Sequence, residues 1–148
     1  MRVLLQRVNY ASVVVENEVI ANIKHGLLLF VGFSKVDNNS GLNLKKIVEK
    51  IINLRIFPDE SGRFNLSVSD IKAGILAVPQ FTLFADTSKG RRPEFFNALE
   101  PNLAEKLFED FIQLIKNAGV ASVSKGKFGA HMKVLLENDG PVTIMLEM

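Results

Sequence analysis

Gly26-Leu27-Leu28-Leu29-Phe30-Val31-Gly32, followed by Asp37-Asn38-Asn39-Ser40 and then by Leu44, Ile47, Val48, Ile51 and Arg55, changes its period partway along. The first run is continuously apolar, the pattern of a strand covered on both faces. The middle supplies turn and capping residues. In the last part the named residues recur at i, i+3, i+4, i+7 and i+11, which predicts one amphipathic helix over about Leu42–Leu54. A doubly covered strand next to a one-sided helix points to helices layered on a sheet.

Working outward, Val3, Leu5 and Arg7 share one face of an amino-terminal strand, with Leu4 and Gln6 on the other. Ser12–Val15 and Val19–Ile23 form a hairpin through Glu16-Asn17-Glu18. Further on, Ile75–Phe84 reads as an apolar strand with Pro79 inside it, and a residue that cannot donate to a ladder marks an edge or a bulge. A second helix is predicted to start near Pro101, to bury Leu103, Leu107, Phe108, Phe111, Leu114 and Ile115, and to stop at Gly119. Lys133–Leu136 and Val142–Leu146 are two more strands, separated by Glu137-Asn138-Asp139-Gly140-Pro141. No repeat, low-complexity tract or linker interrupts the chain, which reads as one domain over 1–148. The predicted fold class is α+β: a curled, mostly antiparallel, barrel-like sheet with two main helices packed on it.

Composition narrows the function. At 148 residues, 47% hydrophobic and 23% charged, the chain is an ordinary globular sequence, which excludes disorder, collagen and coiled coil. No apolar run approaches the ~20 residues of a bilayer span, and the first ten residues lack a signal-peptide core, so no membrane partner and a cytoplasmic address are expected. The absence of cysteine removes disulfides, thiolate zinc sites, iron–sulfur clusters and cysteine nucleophiles. With only His25 and His131, a three-histidine metal site within one chain is impossible, and neither a metal nor a cofactor is expected. Eighteen basic against 16 acidic residues leave +2, compatible with an RNA partner without arguing for one.

Standard catalytic signatures are missing: there is no G-x-S-x-G elbow, phosphate loop, dinucleotide fingerprint or H-E-x-x-H. His25 lies in a turn, and His131 at a strand entrance has no acid or nucleophile placed to use it. An enzyme built this way works without a histidine base, on a substrate that is already reactive. Three segments carry alternatives. Pro79-Gln80-Phe81-Thr82-Leu83 is either an alternating strand or a pocket lining. In Asp86-Thr87-Ser88-Lys89-Gly90-Arg91-Arg92-Pro93, three cations in four residues make a solvated loop or a phosphate clasp. Asn138-Asp139-Gly140-Pro141-Val142-Thr143 is either a hairpin turn or a corner whose Gly-Pro pair aims two carbonyls one way.

Taken together with Met1-Arg2-Val3, Gln6-Arg7-Val8, Asn53-Leu54-Arg55-Ile56-Phe57 and Phe128-Gly129-Ala130, these segments, in this order and spacing, resemble the D-aminoacyl-tRNA deacylase family over the whole chain. The resemblance implies a homodimer that hydrolyses the ester between a D-amino acid, or glycine, and the 3′-terminal adenosine of tRNA. It implies that Gln80, Phe81 and Thr82 form the catalytic pocket. It further implies that Gly140 and Pro141, a cis pair, enter the partner's active site as a chirality filter, with Arg7 holding that loop. Lys89, Arg91 and Arg92 would contact the tRNA. Pro79 departs from the pattern, standing where the family has serine, so both a hydroxyl and an N–H are missing there. Thr82 is either a nucleophile or a pocket wall beside a self-assisting substrate. The alternative to an enzyme is a non-catalytic nucleic-acid-binding dimer.

Overall fold

Strand β1 (Arg2–Val15) organises the sheet, because three other strands pair along its two edges. This computed structural model describes residues 1–39 and 41–148; Ser40, read above as a capping residue, lies outside them. Side chains alternate along a strand, so Val3, Leu5 and Arg7 turn inward together. Glu16 and Asn17 adopt φ of 51° and 67°, the two left-handed residues of a tight hairpin turn. Val15 therefore pairs directly with Glu18, and β2 (Glu18–Ile23) runs back along β1.

β3 (Gly26–Gly32) continues along the same edge of β1, antiparallel to it. A short 3₁₀ segment (Lys35–Asn39) and helix α1 (Gly41–Asn53) then lead to a small hairpin, β4 (Phe57–Pro58) and β5 (Phe64–Leu66). The helix ends before Arg55, whose guanidinium instead donates to Asn65 Oδ1 at 3.2 Å. β6 (Gly74–Pro79) pairs parallel to β3, and β7 (Ser122–Lys125) pairs parallel to β6. Parallel neighbours need crossovers, and the two helices supply them: α1 joins β3 to β6, and α2 (Pro101–Asn117) joins β6 to β7. The order β2-β1-β3-β6-β7, with β8 (Lys133–Glu147) on the other edge of β1, makes a mostly antiparallel sheet. Its ends curl together, since Ser124 Oγ on β7 donates to the Asn22 carbonyl on β2 at 3.1 Å. At Gly26 the backbone of β6 comes so near that a Cβ would lie 2.0 Å from the Gly74 carbonyl oxygen, so only glycine fits. The result is a nearly closed, barrel-like sheet carrying two helices.

The doubly covered reading of β3 holds. Leu27, Leu29 and Val31 pack with Ile47, Ile51, Phe108 and Phe111 under the helices, while Leu28 faces the barrel interior with Val8, Val13 and Leu76. On α2 the buried stripe is Ala104, Phe108, Phe111, Ile112 and Ile115. Leu103, expected inside, is 41% exposed because it sits one position off that stripe, and Leu107 and Leu114 flank it half-buried. Two further expectations are corrected. The strand over 75–84 ends at Pro79. β6 has neighbours on both sides, yet β7 stops opposite Ala77, so the missing N–H of Pro79 faces no partner strand. The tail is one strand, β8, interrupted by a bulge: Gln6 pairs with Thr143 and Val8 with Asn138, so residues 139–142 are extruded opposite Arg7. Among the described residues no helix is long and apolar enough to cross a membrane.

Candidate active site

A cleft of about 560 Å³ opens at the carboxyl ends of the parallel strands β3 and β6. Val31, Gly32, Val78 and Pro79 line it, as do Gln80 and Phe81 on one side and Phe128 to Met132 on another. Beyond Pro79 the chain does not extend but coils into a 3₁₀ turn, Phe81–Phe84. The Gln80 N–H makes a ladder bond to the Val31 carbonyl at 2.7 Å, and the Ala85 N–H then closes back on the Thr82 carbonyl at 3.0 Å. Gly32 lets this turn fold tightly over β3, because a Cβ there would sit 2.8 Å from the Gln80 carbonyl oxygen. Arg2 pins the turn from beneath: its Nη1 donates to the Leu83 carbonyl at 2.7 Å, and its guanidinium lies 4.8 Å from the Phe84 ring.

At the mouth, Phe81 is 57% exposed and meets Phe95 edge-on with ring centroids 5.0 Å apart. The Gln80 side-chain amide donates to Thr82 Oγ1. An amide N–H orients a hydroxyl but cannot take its proton. His131, exposed at the surface, lines the cleft, and Met132, Phe95 and Phe128 line it too. Among the described residues no three histidine, aspartate or glutamate side chains come together to hold a metal ion.

The corner at 139–142 is built differently. The Gly140–Pro141 bond is cis, both residues are exposed, and neither lines the cleft of its own chain. Arg7, only 4% exposed, reaches it from β1. Its Nε lies 2.7 Å from Asp139 Oδ2, its Nη2 donates to the Gly140 carbonyl at 3.4 Å, and its Nη1 donates to the Ile56 carbonyl. The rings of Phe57 and Phe64 lie 6.0 and 5.3 Å from the guanidinium, close enough for cation–π attraction. Asn138 Nδ2 donates to the Arg7 carbonyl at 3.0 Å and to the Val142 carbonyl at 3.1 Å, tying both ends of the bulge. Thus Arg7, Gly140 and the neighbouring residues come together, while Gln80, Phe81 and Thr82 form a separate group.

Lys89, Arg91 and Arg92 occupy a third place. Their loop is stapled by an antiparallel bridge, with Asp86 N–H to Glu94 carbonyl at 2.7 Å and the reverse bond at 2.9 Å. The Ser88 backbone N–H and hydroxyl hold the Asp86 carboxyl below the ordinary carboxylate range. All three cations are exposed, and none forms an ion pair among the described residues.

Known proteins align with this chain end to end. A relative from Chloroherpeton thalassium named D-aminoacyl-tRNA deacylase is 50% identical over 99% of this chain and 95% of its own. One of the same name from Lactobacillus gasseri is 49% identical over the full length of both. A solved structure described as c-Myc DNA Unwinding Element Binding Protein superposes with a TM-score of 0.91 at 40% identity, over 100% of this chain and 99% of that one. Another, described as a probable eukaryotic D-amino acid tRNA deacylase, shares the fold with a TM-score of 0.85 at 19% identity, over 99% of this chain and 98% of that one. The family model described as D-Tyr-tRNA(Tyr) deacylase matches residues 4–147, nearly the whole sequence, and the chain belongs to that family.

Proposed function

We propose that this protein, a D-aminoacyl-tRNA deacylase, acts on D-aminoacyl and glycyl esters of tRNA as a homodimer. In that dimer, the Gly140–Pro141 corner of each subunit enters the cleft of the other. The observation that carries the reading is the anchored bulge at 139–142: a buried arginine holds an exposed main-chain corner that lies outside its own cleft. A second copy gives that corner something to do.

In the reaction, water attacks the ester carbonyl, the bond to the ribose 3′-oxygen breaks, and the proton passes to that oxygen. The vicinal 2′-hydroxyl assists, so the protein supplies orientation and donors for the developing oxyanion. The N–H groups of Phe81 and Thr82 open the 3₁₀ turn, where no earlier turn offers them acceptors. Thr82 backs the pocket wall: Gln80 and Phe81 line the cleft and Thr82 itself does not. Its hydroxyl receives the Gln80 amide and has no base to activate it. Thr82→Ala should therefore keep kcat within about tenfold of wild type; near-total loss together with an acyl-threonine trapped by mass spectrometry would make it the nucleophile.

Gly140 and Pro141 select chirality by exclusion, with carbonyls toward the substrate α-amino group and no room for an L side chain; glycine passes because it has none. The test compares D-Tyr-tRNA, L-Tyr-tRNA and Gly-tRNA with wild type and Gly140→Ala. A Cβ at position 140 meets only Asn138 Oδ1 at 3.9 Å within the subunit, so the variant folds and a change reports on the site. Expected is hydrolysis of the D and glycyl esters only, and a drop of about tenfold, or about 1.4 kcal/mol, in D-ester kcat/KM for the variant. Identical treatment of D and L esters by both proteins sinks the filter, and a monomeric mass by light scattering sinks the shared site. Lys89, Arg91 and Arg92 then meet the tRNA backbone as unpaired cations. The name of the 40%-identical structure favours a second reading, a nucleic-acid-binding protein without catalysis; absence of any deacylation would select it.

A further inference from the structure

We propose that a second cleft, back to back with the first, binds the phosphodiester backbone of the single-stranded RNA that leads to the esterified nucleotide; this rests on the deacylase reading above. The cleft, about 560 Å³, lies between the β1–β2 turn (Val14, Val15, Glu16, Asn17) and the segment from Lys127 to Lys133. Phe128, Gly129, Ala130 and His131 line both clefts and so form a common wall. Strands β3 and β6 close the floor of the first cleft, so a polynucleotide whose last nucleoside fills it must leave over its rim, and this wall is part of that rim.

The second cleft is dressed for a polyanion. Lys127, His131 and Lys133 line it against a single acid, Glu16. Lys127 and Lys133 are exposed and make no ion pair among the described residues, whereas Lys125, the preceding cation on β7, is held by Glu109. The groove is also preformed. The two-residue turn at Glu16 and Asn17 is fixed by its left-handed backbone, and Phe128 is seated against the core ring of Phe108, with centroids 6.5 Å apart. Phosphodiesters carry one charge per nucleotide and meet lysines with little geometric demand, which suits two flexible ammonium groups.

The experiment is the double variant Lys127→Glu/Lys133→Glu, at side chains that make no hydrogen bond or ion pair among the described residues that folding would lose. Turnover of D-Tyr-tRNA is compared with that of D-tyrosyl adenosine, an ester without phosphates. Expected is a rise of about tenfold in KM for the tRNA, a change of less than about twofold for the adenosine ester, and a loss of about 1.4 from the slope of log kcat/KM against log salt. Equal losses on both substrates, or an unchanged tRNA KM, would overturn the site. Anisotropy with a fluorescent single-stranded RNA ending in CCA separates the two readings. Wild-type protein that turns over neither ester ends the deacylase reading, whereas RNA binding undiminished in the variant ends this one.

Discussion

Replacing Arg7 by methionine should lower folding stability by about 3 kcal/mol and kcat/KM on a D-aminoacyl-tRNA by at least about a hundredfold. Methionine keeps much of the aliphatic stem but withdraws the donors of a guanidinium that is 5% exposed as a side chain. The Ile56 carbonyl loses its charged donor, and the Asp139 carboxylate, 34% exposed, loses its counter-ion. The Asp139 side is partly solvated, which keeps the estimate at the low end of what broken buried pairs cost. On the proposed shared site the catalytic loss follows from position: without the bond to the Gly140 carbonyl the bulge is tied, among the described residues, by Asn138 alone, and a corner displaced by about 1 Å would no longer fit a reacting ester. Arg7→Lys should recover part of the stability and little of the activity, since one ammonium cannot span three acceptors in a fixed fork. Urea melts and single-turnover assays measure the two quantities. A variant with wild-type kcat/KM would show that Arg7 matters for folding alone.

Asp37→Ala should be worse for stability, by about 3–5 kcal/mol, and should lower Tm by roughly 10 °C or more. Asp37 is 3% exposed and knots three groups. Its Oδ1 lies 2.7 Å from the buried Met1 ammonium, and its Oδ2 accepts the Ser34 N–H at 2.6 Å and the Ser34 hydroxyl at 2.7 Å. Among the described residues, alanine leaves an ammonium in the interior with the Met148 carbonyl alone, at 2.8 Å, to receive it. The damage reaches the cleft, because the neighbouring Lys35 N–H binds the Asn97 carbonyl at 3.1 Å and the Phe33 carbonyl accepts the Leu99 N–H at 3.0 Å. Those bonds hold the segment from Phe95 to Leu99 that lines the cleft. Asp37→Asn, which still accepts from Ser34, should lose less. Calorimetry decides, and a Tm within about 2 °C of wild type for the alanine variant would mean that the pair contributes almost nothing.

Much of this arrangement is legible in the sequence. Leu27 to Val31 announce a buried strand because no position in the run tolerates water, and the buried stripe of α2 shares Phe108, Phe111 and Ile115 with its periodicity, while Leu107 and Leu114 are half-buried and Leu103 is exposed. Sequence period does not report pairing direction, so the two parallel ladders were invisible. Ser122–Lys125 is too short and polar to signal a strand, and the β4–β5 hairpin is shorter still. Pro79 misled because a proline inside an apolar run ends a strand as readily as it marks an edge. At the site, Gln80, Phe81, Thr82, Gly140 and Pro141 stood out through the family's ordered segments. Arg7 also comes through that resemblance, and the structure shows it as a charge on the inward face of β1. Arg2 lies within one of those segments but without a role of its own, and Phe95 and Met132 leave no local trace, because what they contribute is a contact made across the fold. The proposed interplay between cleft and corner would belong to two copies of the chain, and hydrophobic pattern in a single sequence does not tell an interface strand from a core one.

The parallel strands β3 and β6, with their helical returns, end in the cleft, whereas the antiparallel pairing of β1 with β8 shapes the corner. On the proposed reading, recognition of handedness and accommodation of the acyl group are therefore housed on different ladders of one sheet. Loops at the carboxyl ends of β3 and β6, the customary place for a ligand rim, can be exchanged without disturbing the β1–β8 register. Such a scaffold can be retuned for new esters while its stereochemical gauge stays put.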